Sequence, residues 1–219
     1  MDLTGKVALI TGGSSGIGAA TAKLFASHGA NVAIIGRHEA RLLAVGMACE
    51  AAKGNQMLVL KFDLTVEGNC EEAIRQTVQT FKKIDILVNC AGKAGMSSLF
   101  DNSTEIFDEL MALNLRVPYK MTQLCAPHLK DTKGNIVNVF GAPLRVRPGF
   151  LPFAMIRDAL ERFTKAGAVE LAAEGIRMNA VRLGITRTNF LTNLNVDDEH
   201  MDIAYDRLAD LVPNNVFGT

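Results

Sequence analysis

The sequence predicts an α/β fold: residues 1–219 as a single domain, built on a doubly wound parallel sheet with helices on both faces. Three observations predict it. Short, β-branched runs alternate with longer amphipathic stretches along almost all of the 219 residues, and that alternation calls for parallel strands joined by crossover helices. The short runs are apolar on both faces, as strands covered from both sides must be. A glycine-rich turn links the first run to the first amphipathic stretch.

The elements follow in order. Strands are predicted at "KVALIT" (6–11), "NVAIIG" (31–36), "MLVLKF" (57–62), "IDILVN" (84–89), "NIVNVF" (135–140) and "IRMNAVRL" (176–183). Helical periodicity covers about 17–28, 38–53, 67–81, 105–130 and 151–174. The glycines of "SHGAN", "AKGNQ" and "AEGIR" suit helix-to-strand turns. After Gly184 the pattern weakens. "ITRTNFLTNLNVDDEH" is polar and loop-like, "MDIAYDRLADLV" suits a short helix, and the chain stops at "PNNVFGT".

Composition excludes several classes of function. Lys plus Arg number 23 and Asp plus Glu number 23, so no net charge draws the chain to nucleic acid or to an anionic membrane. Cys49, Cys70, Cys90 and Cys125 are scattered without metal spacing, which predicts reduced and mostly buried thiols. No apolar run approaches the roughly 18 residues of a membrane span, and the first residues open straight into a strand. A soluble, cytoplasmic protein is the expectation.

"TGGSSGIG" (11–18) is the most informative stretch. Gly12, Gly16 and Gly18 lie between a predicted strand and a predicted helix. Glycines there permit a tight turn and let backbone N–H groups, Ser14, Ser15 and Ile17 approach a pyrophosphate at the positive end of the helix. The implied function is dinucleotide binding on a Rossmann-like sheet. The end of the second strand then selects the cofactor. An acidic residue would favour NAD, whereas this chain has Gly36 and Arg37. Glycine leaves room and a guanidinium pairs bidentately with a 2′-phosphate, so NADP(H) is expected over NAD(H).

The spacing GxxxGxG, with "DLT" (63–65), "NCAG" (89–92), "NLRVPYKMTQ" (114–123), "GNIVNV" (134–139) and "ALERFTKAGAVELAAEGIRMNAV" (159–181), resembles the short-chain dehydrogenase/reductase family over nearly the whole chain. The resemblance implies that Asp63 and Leu64 line the adenine pocket and that Asn89, Ala91 and Gly92 run along the cofactor. Thr186 and Thr188 match positions that contact the nicotinamide carboxamide and the phosphates. It also implies a homo-oligomer, dimer or tetramer, through helices 105–130 and 151–174, and a small carbonyl or alcohol as ligand. The family normally continues into a further helix and an edge strand, and the expected fold lacks them.

The catalytic pattern departs from the family. There a Tyr passes the proton, a Lys activates it and holds the nicotinamide ribose, a Ser polarises the carbonyl, and an Asn helps hold a relay water. By resemblance the Asn is kept as Asn114, while Ser, Tyr and Lys fall on Gly141, Phe153 and Arg157. In "PGFLPFAMIRDALERFTKAG" (148–167), Phe153 and Arg157 are spaced i, i+4 and share a helix face. The phenyl ring has no acidic proton. The guanidinium keeps donors that could still hold a ribose. Losing the acid costs about 10²–10⁴ in rate and losing one oxyanion donor about 10²–10³, without simple multiplication. The expectation is a cofactor-binding protein with weak or no standard oxidoreductase activity. The alternative is a working reductase that uses an unusual acid or an ordered water.

Other candidates are fewer. Tyr119 is expected to pack, and Tyr205 is a conceivable replacement acid. His128 reads as a surface or capping residue. Arg145 and Arg147 follow the fifth strand near the expected substrate entrance.

Overall fold

The computed structural model describes residues 2–53, 55–141 and 148–188. Six parallel strands form one sheet in the order β3-β2-β1-β4-β5-β6. They are β1 (Val7–Thr11), β2 (Asn31–Gly36), β3 (Met57–Lys61), β4 (Ile86–Asn89), β5 (Asn135–Gly141) and β6 (Arg177–Leu183). Each lies within a residue or two of its predicted position. The helices are α1 (Gly16–Ser27), α2 (Glu39–Lys53), α3 (Asn69–Phe81), α4 (Glu105–Met111), α5 (Val117–Thr132) and α6 (Leu151–Ala172).

The two-sided apolar pattern of the central strands has a direct structural counterpart. Successive residues of a strand point to opposite faces. Leu9 and Ile35 therefore join one core with Met121, Leu129 and Ile136. Ile10 and Ile34 join another with Ala22 and Leu42. All five residues of β1 are buried. Each such Leu or Ile contributes about 1.5–3 kcal/mol by leaving water.

Two expectations need correction. β6 was expected to be apolar on both faces, but Arg177, Asn179, Ala180, Val181 and Arg182 are exposed. Among the described residues β6 is one of the two edge strands, paired with β5 alone, so only one flank is covered. The second correction concerns the helix expected over 105–130. It is interrupted by a π-helical stretch, Ala112–Arg116, where Val117 N–H donates to the Ala112 carbonyl five residues back. Pro118 supplies the cause: it has no N–H for the Asn114 carbonyl four residues earlier, so an ordinary α turn cannot close there. The glycine joints behave as expected at Gly29 and Gly175, both at positive φ, with N–H groups on the Ala26 and Ala172 carbonyls. Gly54 and the helix expected at "MDIAYDRLADLV" fall outside the described residues.

Candidate active site

The carboxyl ends of all six strands border one open cavity of about 590 Å³. It lies where the strand order reverses between β1 and β4, the usual ligand position in an open α/β sheet.

The glycine turn forms the floor of this cavity. Gly12 has φ 71°, and a Cβ there would stand 2.9 Å from the Ala91 backbone. A Cβ on Gly18 would stand 2.3 Å from the Gly12 carbonyl oxygen. Both positions are therefore closed to any side chain, and α1 is drawn tightly onto the turn. Ser14, Ser15, Gly16, Ile17 and Gly18 line the cavity. Ser15 is the N-cap of α1 but its hydroxyl makes no capping bond, and the first turn holds no acidic residue. A helix start of this kind, with amides and a positive dipole turned to a cavity, fits a pyrophosphate. Thr188 stands across from the turn, its Cγ2 3.2 Å from where a Gly16 Cβ would be. Thr186 also lines the cavity and donates to the Gly184 carbonyl at 3.2 Å.

At one end the walls are cationic. Arg37 follows β2, with Nη1 3.8 Å from Asp63 Oδ2. His38 and Arg41 line the same end, although sequence reasoning singled out only Arg37. The signal for Arg41 was readable, since it lies four positions after Arg37 in the first turn of α2. Burial pushes the Asp63 carboxyl up, but bonds from the Thr65 hydroxyl and amide, with the Arg37 charge, outweigh it and leave a net depression. Asp63 and Leu64 both line the cavity.

At the other end the walls are mostly apolar. Gly141 ends β5 and Phe153 lies in the first turn of α6, and both face the cavity. A Cβ added to Gly141 would meet nothing within 4 Å. Phe153 also borders a second cavity of about 60 Å³, lined by Asn89, Asn114 and Arg157. Ala91 and Gly92 border both. Of the residues expected along the cofactor, Asn89 and Arg157 thus line the smaller cavity and not the larger. The Asn89 amide donates to Asn138 Oδ1 at 2.9 Å, tying β4 to β5, while its Oδ1 is buried without a partner among the described residues. Arg157 is 11 % exposed and its guanidinium is held by Asp158 Oδ1, at 3.0 Å from Nε and 2.7 Å from Nη2. Asn114 clamps the backbone of Lys93, donating to its carbonyl at 2.8 Å and accepting from its amide at 2.9 Å. The Lys93 ammonium is bonded to Glu109 of α4, and both residues line the large cavity. Sequence reasoning missed this pair, which is 16 positions apart.

The remaining candidates are quickly placed. Tyr119 is 54 % exposed, its ring 5.5 Å from that of Phe163, and it lines neither cavity. His128 is half-buried late in α5. Cys49, Cys70 and Cys125 are buried, and burial pushes the half-buried Cys90 thiol up to about 11. Tyr205, Arg145 and Arg147 fall outside the described residues. Among the described residues no cluster of His, Cys, Asp or Glu could hold a metal, and no helix is long and apolar enough to cross a membrane.

Fold and site together define a nucleotide-binding protein of the doubly wound α/β class. The family model for short chain dehydrogenases matches residues 6–199, and the chain belongs to that family of oxidoreductases, whose members bind NAD(P)(H). It is 34% identical over 183 residues to "Uncharacterized oxidoreductase YhdF" of Bacillus subtilis, covering 83% of this chain and 63% of that protein. "Oxidoreductase UcpA" of Salmonella typhimurium is 33% identical over 190 residues, covering 85% of this chain and 71% of that one. A Caenorhabditis elegans short-chain dehydrogenase/reductase solved with its cofactor superposes with a TM-score of 0.91 at 34% identity, covering 99% of this chain and 84% of that one.

Proposed function

We propose that this chain is an NADP(H)-binding short-chain dehydrogenase/reductase whose standard catalytic set is degenerate, so that carbonyl reduction or alcohol oxidation is slow or absent. The observation that carries the reading is the wall formed by Gly141 and Phe153. At the two cavity-facing positions where the family carries hydroxyls, neither side chain has one. Arg157 stands at the lysine position, but its Nε and Nη2 are bonded to Asp158 and it borders the smaller cavity. A bound dihydronicotinamide would supply hydride, and the protein's own part would be to hold the dinucleotide along the glycine turn and α1.

Preference for NADP(H) is supported by Gly36 and by Arg37, His38 and Arg41 at the cationic end. A 2′-phosphate there would compete with Asp63 for the Arg37 guanidinium, which charge-assisted pairing favours. A small carbonyl or alcohol is the ligand class that fits the apolar end. A homodimer or tetramer is supported by Tyr119, Met155 and Val169, which expose apolar surface on α5 and α6. A cytoplasmic location goes with this reading.

The test is a fluorescence titration with NADPH and NADH, followed by NADPH consumption against a panel of carbonyl compounds. Tighter binding of NADPH with little or no turnover is expected. Absence of binding, or brisk turnover of the parent, would overturn the reading.

A further inference from the structure

The apolar end of the large cavity holds one ionisable pair among the described residues, Lys93 and Glu109. Arg157 lies on the smaller cavity, bound to Asp158. Cys90, with burial raising its pKa to about 11, carries no charge near neutral pH. The placement of Lys93 is specified twice over. Both its amide N–H and its carbonyl are held by the Asn114 side chain, and its ammonium is held by Glu109. Lys93 is the residue after "NCAG", at the end of the segment that borders both cavities.

We propose that Lys93, oriented by Asn114 and Glu109, is the proton donor for whatever carbonyl reduction this site performs. The proposal rests on the reading of the large cavity as an NADP(H) site. An ammonium has three N–H bonds, so a bond to Glu109 leaves donors to meet a carbonyl oxygen. Free lysine and free tyrosine side chains are acids of similar strength, with pKa values of about 10. A lysine is thus a chemically reasonable replacement for the phenol that Phe153 lacks. The balance is simple. A bound dihydronicotinamide would supply hydride to the carbonyl carbon and be oxidised, with the π electron pair moving onto oxygen. That oxygen takes a proton from Lys93 Nζ, giving the alcohol and a neutral amine. Lys93 is 23% exposed, so solvent can return the proton. Glu109 is a positioning residue that holds the nitrogen in place.

The experiment uses the full chain with 4-nitrobenzaldehyde as probe and three readouts. NADPH oxidation should fall at least about tenfold in both Lys93→Met and Lys93→Arg, since general acid catalysis is worth about 10²–10⁴ and a guanidinium is a much weaker acid. A rate kept by Lys93→Arg would assign Lys93 a charge role and overturn the proposal. NADPH binding, read by fluorescence, should stay within about twofold in Lys93→Met. Binding lost along with the rate would make Lys93 a cofactor ligand and would also overturn it. The third readout needs no turnover. With oxidised cofactor present and the pH raised to about 10, where a lysine amine is partly neutral, the amine should condense with the nearby aldehyde, losing water, and cyanoborohydride should fix Lys93 as a secondary amine ahead of the other lysines, read by peptide mass spectrometry. Labelling spread evenly over surface lysines would contradict the proposal. A parent that binds NADPH but turns over no aldehyde would sink Lys93 as a donor and leave the binding function standing. A parent that binds no NADPH would sink the binding function, and the trapping result would still decide whether Lys93 meets the carbonyl.

Discussion

Glycine does two opposite things in this site, and the difference is measurable. At Gly18 a Cβ would stand 2.3 Å from the Gly12 carbonyl oxygen, a backbone atom that cannot move aside cheaply. At Gly141 it would meet nothing within 4 Å. Gly18→Ala should therefore cost about 1–3 kcal/mol, the usual range for overpacking, and should abolish NADPH binding. Gly141→Ser should change stability by no more than about 0.5 kcal/mol. Urea denaturation of both variants checks the pair; equal effects would contradict the geometry. At the cationic end, Arg37→Ala should weaken NADPH binding much more than NADH binding. Equal losses would remove Arg37 from the phosphate site.

Residue identities in the site were legible in the sequence to different degrees. The glycine turn was readable because its chemistry is local: strand, glycines and helix follow one another within residues 7–27. That Gly141 and Phe153 carry no hydroxyl is plain from their identity, and the proposed reading places them at the family's Ser and Tyr positions. Lys93 and Glu109 were not legible, because a lysine after a glycine says nothing about where its side chain turns. Arg157 shows a third case. Its i, i+4 spacing from Phe153 was visible, but its capture by the adjacent Asp158 depends on rotamers that no spacing rule supplies.

At the scale of elements, the central strands are held at their amino ends by a buried carboxylate. Asp85 precedes β4, is 4% exposed, and accepts from Val7 N–H at 2.9 Å while pairing with Lys6 at 3.1 Å and Lys83 at 3.0 Å. Burial pushes its pKa up, but the Val7 amide and the Lys83 and Lys6 ammonium groups outweigh burial and leave it below the ordinary carboxylate value. A depressed folded pKa adds stability above the unfolded pKa of about 4 and loses it as pH falls through the folded value. Asp85→Asn should lower stability at pH 7 and flatten the decline below pH 4, as followed by urea denaturation at several pH values. An unchanged acid limb would contradict this role. The interruption of helix 105–130 also belongs to this scale. Apolar periodicity runs straight across Asn114, so periodicity alone reads one helix. The single readable signal was Pro118, which deprives the Asn114 carbonyl of its α-helical donor. β6 misled in a similar way: its apolar residues suit a sheet, but they do not say how many neighbours the strand has.

Across the whole molecule, sheet order turns six short strands into one site. Because every strand is parallel, all six carboxyl ends point the same way, and residues at these ends border the same large cavity. The same parallel layering leaves α5 and α6 with outer faces carrying Tyr119, Met155 and Val169, of which Val169 is 80% exposed. Surface of this kind is expected to be covered by a second copy. Light scattering should report a dimer or tetramer at micromolar concentration, and a stable monomer would contradict it.

The central claim is that this cavity holds the cofactor but has lost its standard acid and oxyanion donor, and one comparison tests it most directly. Steady-state NADPH oxidation with a reactive diketone should be slow in the parent. It should rise by at least about 10²-fold in the combined Gly141→Ser, Phe153→Tyr and Arg157→Lys variant. The open space at Gly141 accepts the serine, and Asn114 is already in place. Phe153→Tyr alone should gain less, because the cation beside it would remain an arginine bound to Asp158. A brisk parent rate, or no gain in the triple variant with NADPH binding intact, would contradict the account.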